Sequence, residues 1–207
     1  DLAMTADAPT SRPLALRGSL TPALLGLLTS RETLLPSLAR FAFAAVLLVY
    51  FWAAAATKLG PGPLGLFDPA MGAYAQIFPR QMAAAGYDAA QLGLWARLVV
   101  VAATLAEFVF PALIVAGLLT RLAALGMIGF VVVQSLTDLI GHGGLAHPET
   151  LGAWFDADPG GLILDQRLLW TVLLAILVVK GGGALSADAG VCRWLRGAGA
   201  GQATGGA

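Results

Sequence analysis

The chain has 207 residues, of which 58% are hydrophobic and only 12% are charged, and its formal net charge is zero. Soluble domains are about 25% charged, so the composition argues against a soluble protein, and its balanced charge gives no reason to expect nucleic acid as a partner. Two histidines and one cysteine exclude a multi-cysteine zinc or iron–sulfur site and an intrachain disulfide.

Four apolar segments predict an all-α, four-transmembrane-helix bundle. They cover residues 38–59, 98–119, 122–140 and 162–179. Each of the first three is long enough to cross a hydrocarbon core of about 30 Å. In the fourth, only residues 168–179 run without a charge, so the charged turn before them is needed to complete the span.

Lysine and arginine placement predicts that both termini are cytoplasmic, by the positive-inside rule. With four spans, the basic residues before the first segment, in the turn between the second and third, and after the fourth all face one side. These residues are Arg12, Arg17, Arg31, Arg40, Arg121, Lys180, Arg193 and Arg196.

The predicted organisation has three parts. Residues 1–37 form a cytoplasmic segment in which 22–39 is a candidate amphipathic helix, residues 38–182 form the membrane domain, and residues 183–207 form a cytoplasmic tail. In the first outer connection, the apolar spacing of residues 71–85 has two open interpretations. It indicates either short interfacial helices or a loop packed over helix ends.

Glu107 lies near the middle of the second apolar segment, where an unpaired acid costs about 3 kcal/mol. Pro111, four residues later, cannot donate a hydrogen bond to the Glu107 carbonyl, which predicts a kink. Arg121 is about 21 Å away along a straight helix, so the partner must come from another helix. Lys58 and Gln134 are the first candidates. The carboxylate is then either a structural pair, a proton relay or a contact to a quinone-like headgroup.

The third segment places Gln134, Asp138 and His142 on one helical face, because they are spaced four residues apart. Together with His147, the aspartate and the histidine are candidate metal ligands near the outer surface. The alternative is an ion pair between Asp138 and an arginine at the same depth.

Two arginines lie at that outer depth, Arg97 and Arg167. Either one is a candidate partner for Asp138, and Asp165 is a competing partner for either arginine. Under the quinone hypothesis, Lys58, Arg97 and Gln134 are contacts for the ring or form the polar mouth of its site.

Four motifs resemble those of the DoxX family of small bacterial four-helix membrane proteins. They are Thr-Lys-Leu-Gly at residues 57–60, Glu107 followed by Pro111, the turn Gly-Leu-Leu-Thr-Arg ending at Arg121, and Gly-Gly-Gly-Ala-Leu-Ser-Ala-Asp at residues 181–188. The resemblance covers roughly residues 40–188. The last motif departs from the commoner family pattern by having glycine and alanine where proline and leucine are usual.

The resemblance implies a structural unit and a class of function. The turn at Arg121 is expected to join Ser186–Asp188, with Ser186 capping a short helix. Independently of the resemblance, Pro111 and Arg167 have expected structural roles, through the kink and through the ion pair with Asp138. Some relatives are linked to thiosulfate:quinone oxidoreductase. The implied function is therefore a quinone-contacting subunit of an oxidoreductase complex in the bacterial inner membrane, with Glu107 as its proton site.

Alternatives to that function stay open. The chain has no flavin or nicotinamide fingerprint, so a redox centre would come from a protein partner or a bound quinone. At most, then, the chain is a membrane subunit of an enzyme. The alternative is a non-enzymatic membrane scaffold, or a protein that handles small solutes or metals. Its expected partners are the lipid bilayer and either a second protein or another copy of the chain.

Overall fold

A computed structural model describes residues 34–203 of the chain, and within that range the protein is helical and contains no strand. The helices, in chain order, are α1 (Leu34–Ala56), α2 (Met71–Ile77), α3 (Pro79–Ala84), α4 (Ala89–Ala116), α5 (Thr120–Gly141), α6 (Pro148–Leu151), α7 (Leu162–Lys180) and α8 (Ala187–Ala203). Most of the candidate amphipathic helix at residues 22–39, together with Arg12, Arg17 and Arg31, falls outside the described residues.

Four of these helices, α1, α4, α5 and α7, are long and apolar enough to cross a membrane. This confirms the predicted all-α fold with four candidate spans. The fourth span begins at Leu162, so the charged turn before the apolar run belongs to the helix, as expected. The first outer connection contains two short helices, α2 and α3.

The core lies where α5 packs against α4 and α7, and where α1 packs against α4. Its fully buried side chains include Phe43, Phe51, Met127 and Leu174. Aromatic rings reinforce the contact between helices, since Phe51 meets Trp170 edge to face with ring centroids 6.0 Å apart. Large apolar side chains on the outer surfaces of the four helices remain exposed, as expected for surfaces that meet lipid.

A smaller apolar cluster packs α2 and α3 onto α4. Its buried members include Ala73, Tyr74, Met82 and Val100. The two short helices therefore cover the end of the bundle at which α4 begins.

The helices contain features that apolar periodicity does not predict. Within the described residues, α1, α5 and α7 each contain one π-helical turn, at Ala44–Leu48, Thr137–Gly141 and Leu162–Gln166. α4 continues through Pro111 to Ala116, and the kink expected at that proline stays a prediction. The helix ends at Gly117, whose φ of 70° and ψ of 35° belong to the left-handed region that favours glycine.

Candidate functional site

Glu107 and Lys58 form a buried ion pair between α4 and the residues just after α1. The lysine Nζ lies 3.1 Å from Oε1 and 2.9 Å from Oε2 of the carboxylate, and it also donates to the Ala54 carbonyl at 3.1 Å. Only 3% of Glu107 and 5% of Lys58 are exposed. One of the two partners predicted for Glu107 is therefore confirmed, and the pairing offsets part of the cost of burying both charges.

A cavity of about 350 Å³ lies beside this pair, between α4 and α5. Apolar or small residues form much of its wall, and polar groups are concentrated at a few positions. Residues lining it include Ala103, Phe110, Gly129, Phe130, Gln134 and Asp138. A partly open, largely apolar hollow with a few polar groups is the usual form of a small-molecule site.

The predicted polar face of α5 faces this cavity. Gln134, Asp138 and His142 all line it, which confirms that they share one side of the helix. The Gln134 Nε2 donates to the Tyr50 hydroxyl at 3.4 Å. Its Oε1 is buried and has no hydrogen-bond partner among the described residues. Turning the amide over would exchange the two atoms and still leave one without a partner, so this cavity-lining residue has one unused polar atom.

His142 joins the outer end of the cavity to the covering helix α2. Its Nε2 lies 2.9 Å from the carbonyl oxygen of Gln76, and both residues line the cavity. His147, by contrast, lies in the loop beyond α5, with its Nδ1 3.3 Å from Glu149. The two histidines therefore have separate partners.

The structure does not bring the predicted metal ligands Asp138, His142 and His147 together into one group. The part of the chain that the structure describes contains no group of three or more His, Cys, Asp or Glu side chains that could hold a metal ion. The physical reason is that each ligand has another partner, since Asp138 binds an arginine and each histidine has the contact given above. The four-residue spacing places Asp138 and His142 on one side of α5, whereas His147 lies in the loop beyond that helix.

Asp138 pairs with Arg167 of α7, one of the two arginines predicted for it. The Arg167 Nη2 lies 2.5 Å from Asp138 Oδ2, and Nη1 donates to the Ser135 hydroxyl at 3.0 Å. The Arg167 side chain is 3% exposed, so this pair fixes α5 to α7 beside the cavity.

Arg97 does not line the cavity that Lys58 and Gln134 share, so the structure does not bring these three predicted contacts together. It lies near the start of α4, donates to the Phe67 carbonyl, and approaches Asp68 at 3.8 Å. There it helps to line a separate hollow with Tyr74. Burial raises the pKa of Tyr74, and the charge of Arg97 opposes that rise.

At the opposite end of the bundle, Asp188 caps the start of α5. Its carboxylate accepts from the Leu119 amide at 2.8 Å, the Thr120 amide at 3.0 Å and the Thr120 hydroxyl at 2.9 Å. Burial raises the pKa of Asp188, but the bonds from Thr120 and Leu119 outweigh that effect, and the net pKa is lowered. Ser186 accepts from the Ala189 amide at 3.1 Å, which confirms the predicted cap of α8.

These contacts confirm that the turn between α4 and α5 and residues 186–188 form one unit. The unit is tight, because a Cβ at Gly117 would lie 2.6 Å from the Ser186 Cβ. Arg121 takes part through its backbone position in the turn, while its side chain is exposed.

Arg40 has a structural role that the sequence did not predict, since there it served only as one of the basic residues that indicate membrane orientation. Its guanidinium donates to four backbone carbonyls, those of Ile114 at 3.0 Å, Val115 at 2.5 Å, Gly182 at 3.1 Å and Leu185 at 2.8 Å. The signal for it was a lone arginine within an apolar span, near the predicted ends of two other helices, where carbonyls lack helical partners.

The family model for DoxX matches residues 35–138. The match includes α1 to α4 and most of α5, and with them Lys58, Glu107, Gln134 and Asp138. Residues 181–188, which also carried the resemblance, lie beyond the matched range. No curated protein and no solved structure matches the sequence.

Proposed function

Since the chain belongs to the DoxX family and has four helices able to cross a membrane, we propose that it binds a quinone-like ring beside the Lys58–Glu107 pair. In this role it is a membrane subunit of an oxidoreductase complex in the bacterial inner membrane. The observation that carries the proposal is the cavity between α4 and α5. The buried carboxylate of Glu107 borders this cavity and leaves space in it for a ligand.

The size and wall of the cavity suit a flat, lipid-soluble ring. Its volume of about 350 Å³ is near the lower end of the range of about 300–1,000 Å³ seen for small-molecule sites. Phe110 and Phe130 supply aromatic surface, and Ala103 and Gly129 leave room for the ring. A ligand of this kind reaches the cavity from the bilayer.

The polar groups suit a ring whose oxygens change between acceptor and donor. A quinone carbonyl accepts hydrogen bonds, and the corresponding quinol hydroxyl donates them. The Gln134 amide, with one buried polar atom unused, serves either form after a rotation of the amide. Lys58 and Asp138 border the same space.

The proposed reaction places Glu107 as a proton site. A quinone that becomes a quinol takes up two electrons and two protons. The electrons come from the redox centre of a partner subunit, because the chain carries no flavin or nicotinamide fingerprint. The protons pass through the Glu107 carboxyl to the ring oxygens, and the carboxylate is reprotonated from water.

A membrane scaffold is the second candidate, and one observation favours it. Both oxygens of Glu107 are bonded to Lys58, which also bonds Ala54, so the pair can hold α1 to α4 without any ligand. A scaffold needs the pair but not the cavity. An experiment that fills the cavity and keeps the pair therefore separates the two functions.

Gly129→Leu fills the cavity at a position where an added Cβ meets nothing within 4 Å. We expect the purified protein to bind a short-tailed benzoquinone in detergent and this variant to lose the binding, measured by titration calorimetry. Gly72→Leu is the matched control, because Gly72 is also helical and open but does not line the cavity. Absence of binding by the unmodified protein, or binding by Gly129→Leu equal to it, would reject the proposal.

A further inference from the structure

The end of the bundle opposite the covering helices carries an open groove lined by three basic side chains. They are Arg121 at the start of α5, Lys180 at the end of α7 and Arg196 in α8. The groove has a volume of about 600 Å³, and all three side chains are exposed. Residues far apart in sequence thus place their positive charges around one space.

The charge of this groove is not neutralised within the described part of the chain. None of the three basic side chains forms a salt bridge there. Asp188 also lines the groove, but its carboxylate oxygens are occupied by Leu119 and Thr120. The groove therefore offers three cationic groups and one carboxylate whose oxygens already accept hydrogen bonds, which favours an anionic ligand.

The position of the groove selects the kind of anion. Arg121 is the second residue of one candidate span and Lys180 is the last residue of another, so both lie at the depth of the lipid headgroups. The neighbouring helix α8 exposes Val191, Trp194 and Leu195, which fall on one helical face at spacings of three and four residues. An apolar face with a tryptophan beside basic residues is typical of a helix that lies in the membrane interface.

We propose that this basic groove binds the phosphate headgroup of an anionic phospholipid, with α8 lying against the same leaflet. Arg121, Lys180 and Arg196 contact the phosphate, while Trp194 and Leu195 contact the acyl chains near the headgroup. The acidic lipid fixes α8 and the ends of α5 and α7 at one leaflet. This inference is independent of what the cavity near Glu107 binds.

The test uses the full chain in mild detergent, with phosphatidylglycerol or phosphatidylcholine added, and counts bound lipids by native mass spectrometry. We expect phosphatidylglycerol to be retained in preference to phosphatidylcholine. Each of Arg121→Gln, Lys180→Gln and Arg196→Gln should weaken its retention by about fivefold. Arg193→Gln is the matched control, because Arg193 is an exposed arginine of the same helix that does not line the groove.

Helical content by circular dichroism checks that each variant is folded. Equal retention of the two lipids would overturn the proposal, and so would equal losses in Arg196→Gln and Arg193→Gln. Displacement of phosphatidylglycerol by millimolar inorganic phosphate would also overturn it, because the groove would then take a free anion in place of a lipid.

Discussion

The Lys58–Glu107 pair determines how single substitutions in the membrane core should behave. Both side chains are almost fully buried, and each is the salt-bridge partner of the other. Replacing a buried pair by apolar residues is often tolerated, whereas removing one partner leaves an uncompensated charge. Removing one partner therefore measures the cost of a buried, unpaired charge, whereas replacing both partners by apolar residues measures the contribution of packing.

Glu107→Ala should destabilise the protein by about 3–5 kcal/mol, because it leaves the Lys58 ammonium buried without its carboxylate. The double variant Glu107→Leu with Lys58→Met should recover most of that loss. Unfolding in mixed micelles of rising dodecyl sulfate, followed by circular dichroism, measures both. A double variant as unstable as the single one would show that the charge of Lys58 is not the cause.

Glu107→Gln keeps the shape of the side chain but removes its ability to carry a proton. If Glu107 is the proton site, quinone reduction by the assembled complex should slow by about a hundredfold or more, while binding of a short-tailed benzoquinone stays unchanged. The two measurements are turnover and calorimetric titration on the same variant. Unchanged turnover would remove Glu107 from the proton path and favour the structural role.

At the scale of helices, α5 depends on a residue from outside its own sequence. Its N-cap position is Leu119, whose side chain cannot cap, and whose φ of 48° is unusual for a residue other than glycine. Asp188, 68 residues after Thr120, supplies the missing acceptor. A helix capped from a distant segment ties the start of α5 to the segment that follows α7.

Asp188→Asn should destabilise this end of the bundle by about 1 kcal/mol at neutral pH, because the amide has one acceptor oxygen where the carboxylate uses two for Leu119 and Thr120. The unmodified protein should lose the same contribution in acid. The folded pKa of Asp188 is lower than its unfolded value of about 3.9, so the stabilisation is present above that value and is lost as pH falls through the folded pKa. Melting temperatures of both proteins between pH 7 and pH 3 measure this, and a constant difference across that range would contradict it.

Apolar runs and a few polar residues predicted much of these elements. The spans followed from segment length, and the shared face of Gln134 and Asp138 followed from spacing. Lys58 and Arg167 were each one of two partners predicted for an acidic residue. The sequence did not predict the π-helical turns, the position of Arg97 or the four hydrogen bonds from Arg40 to backbone carbonyls. Those depend on how helices meet in space, which a single sequence constrains only through burial and charge.

At the scale of the whole molecule, the four candidate spans within residues 34–203 predict that the two ends of this described range lie on the same side of the membrane. The basic residues at those ends predict that this side is cytoplasmic. Cys192 lies at the same end of the bundle as Arg121, Lys180 and Arg193, so labelling this one cysteine reports the side of the membrane on which all of them lie.

Cys192 is the single cysteine of the chain and is exposed, so it serves as a topology probe. We expect a membrane-impermeant maleimide to label it only after the cells are permeabilised. In a Cys192→Ser background, Glu149→Cys places a thiol in the opposite outer loop and should be labelled in intact cells. Labelling of Cys192 in intact cells would reverse the predicted orientation.

The hydrogen bonds from Arg40 to carbonyls far away in the sequence have a consequence for membrane insertion. Arg40 emerges from the ribosome with the first span, but two of its four acceptors, Gly182 and Leu185, are synthesised after the last one. Until then only the carbonyls of Ile114 and Val115 can accept from the guanidinium, and its remaining N–H groups need water, which favours keeping that end of α1 at the membrane surface. A protein cut short before Gly182 would therefore lack two of the four carbonyl acceptors of Arg40.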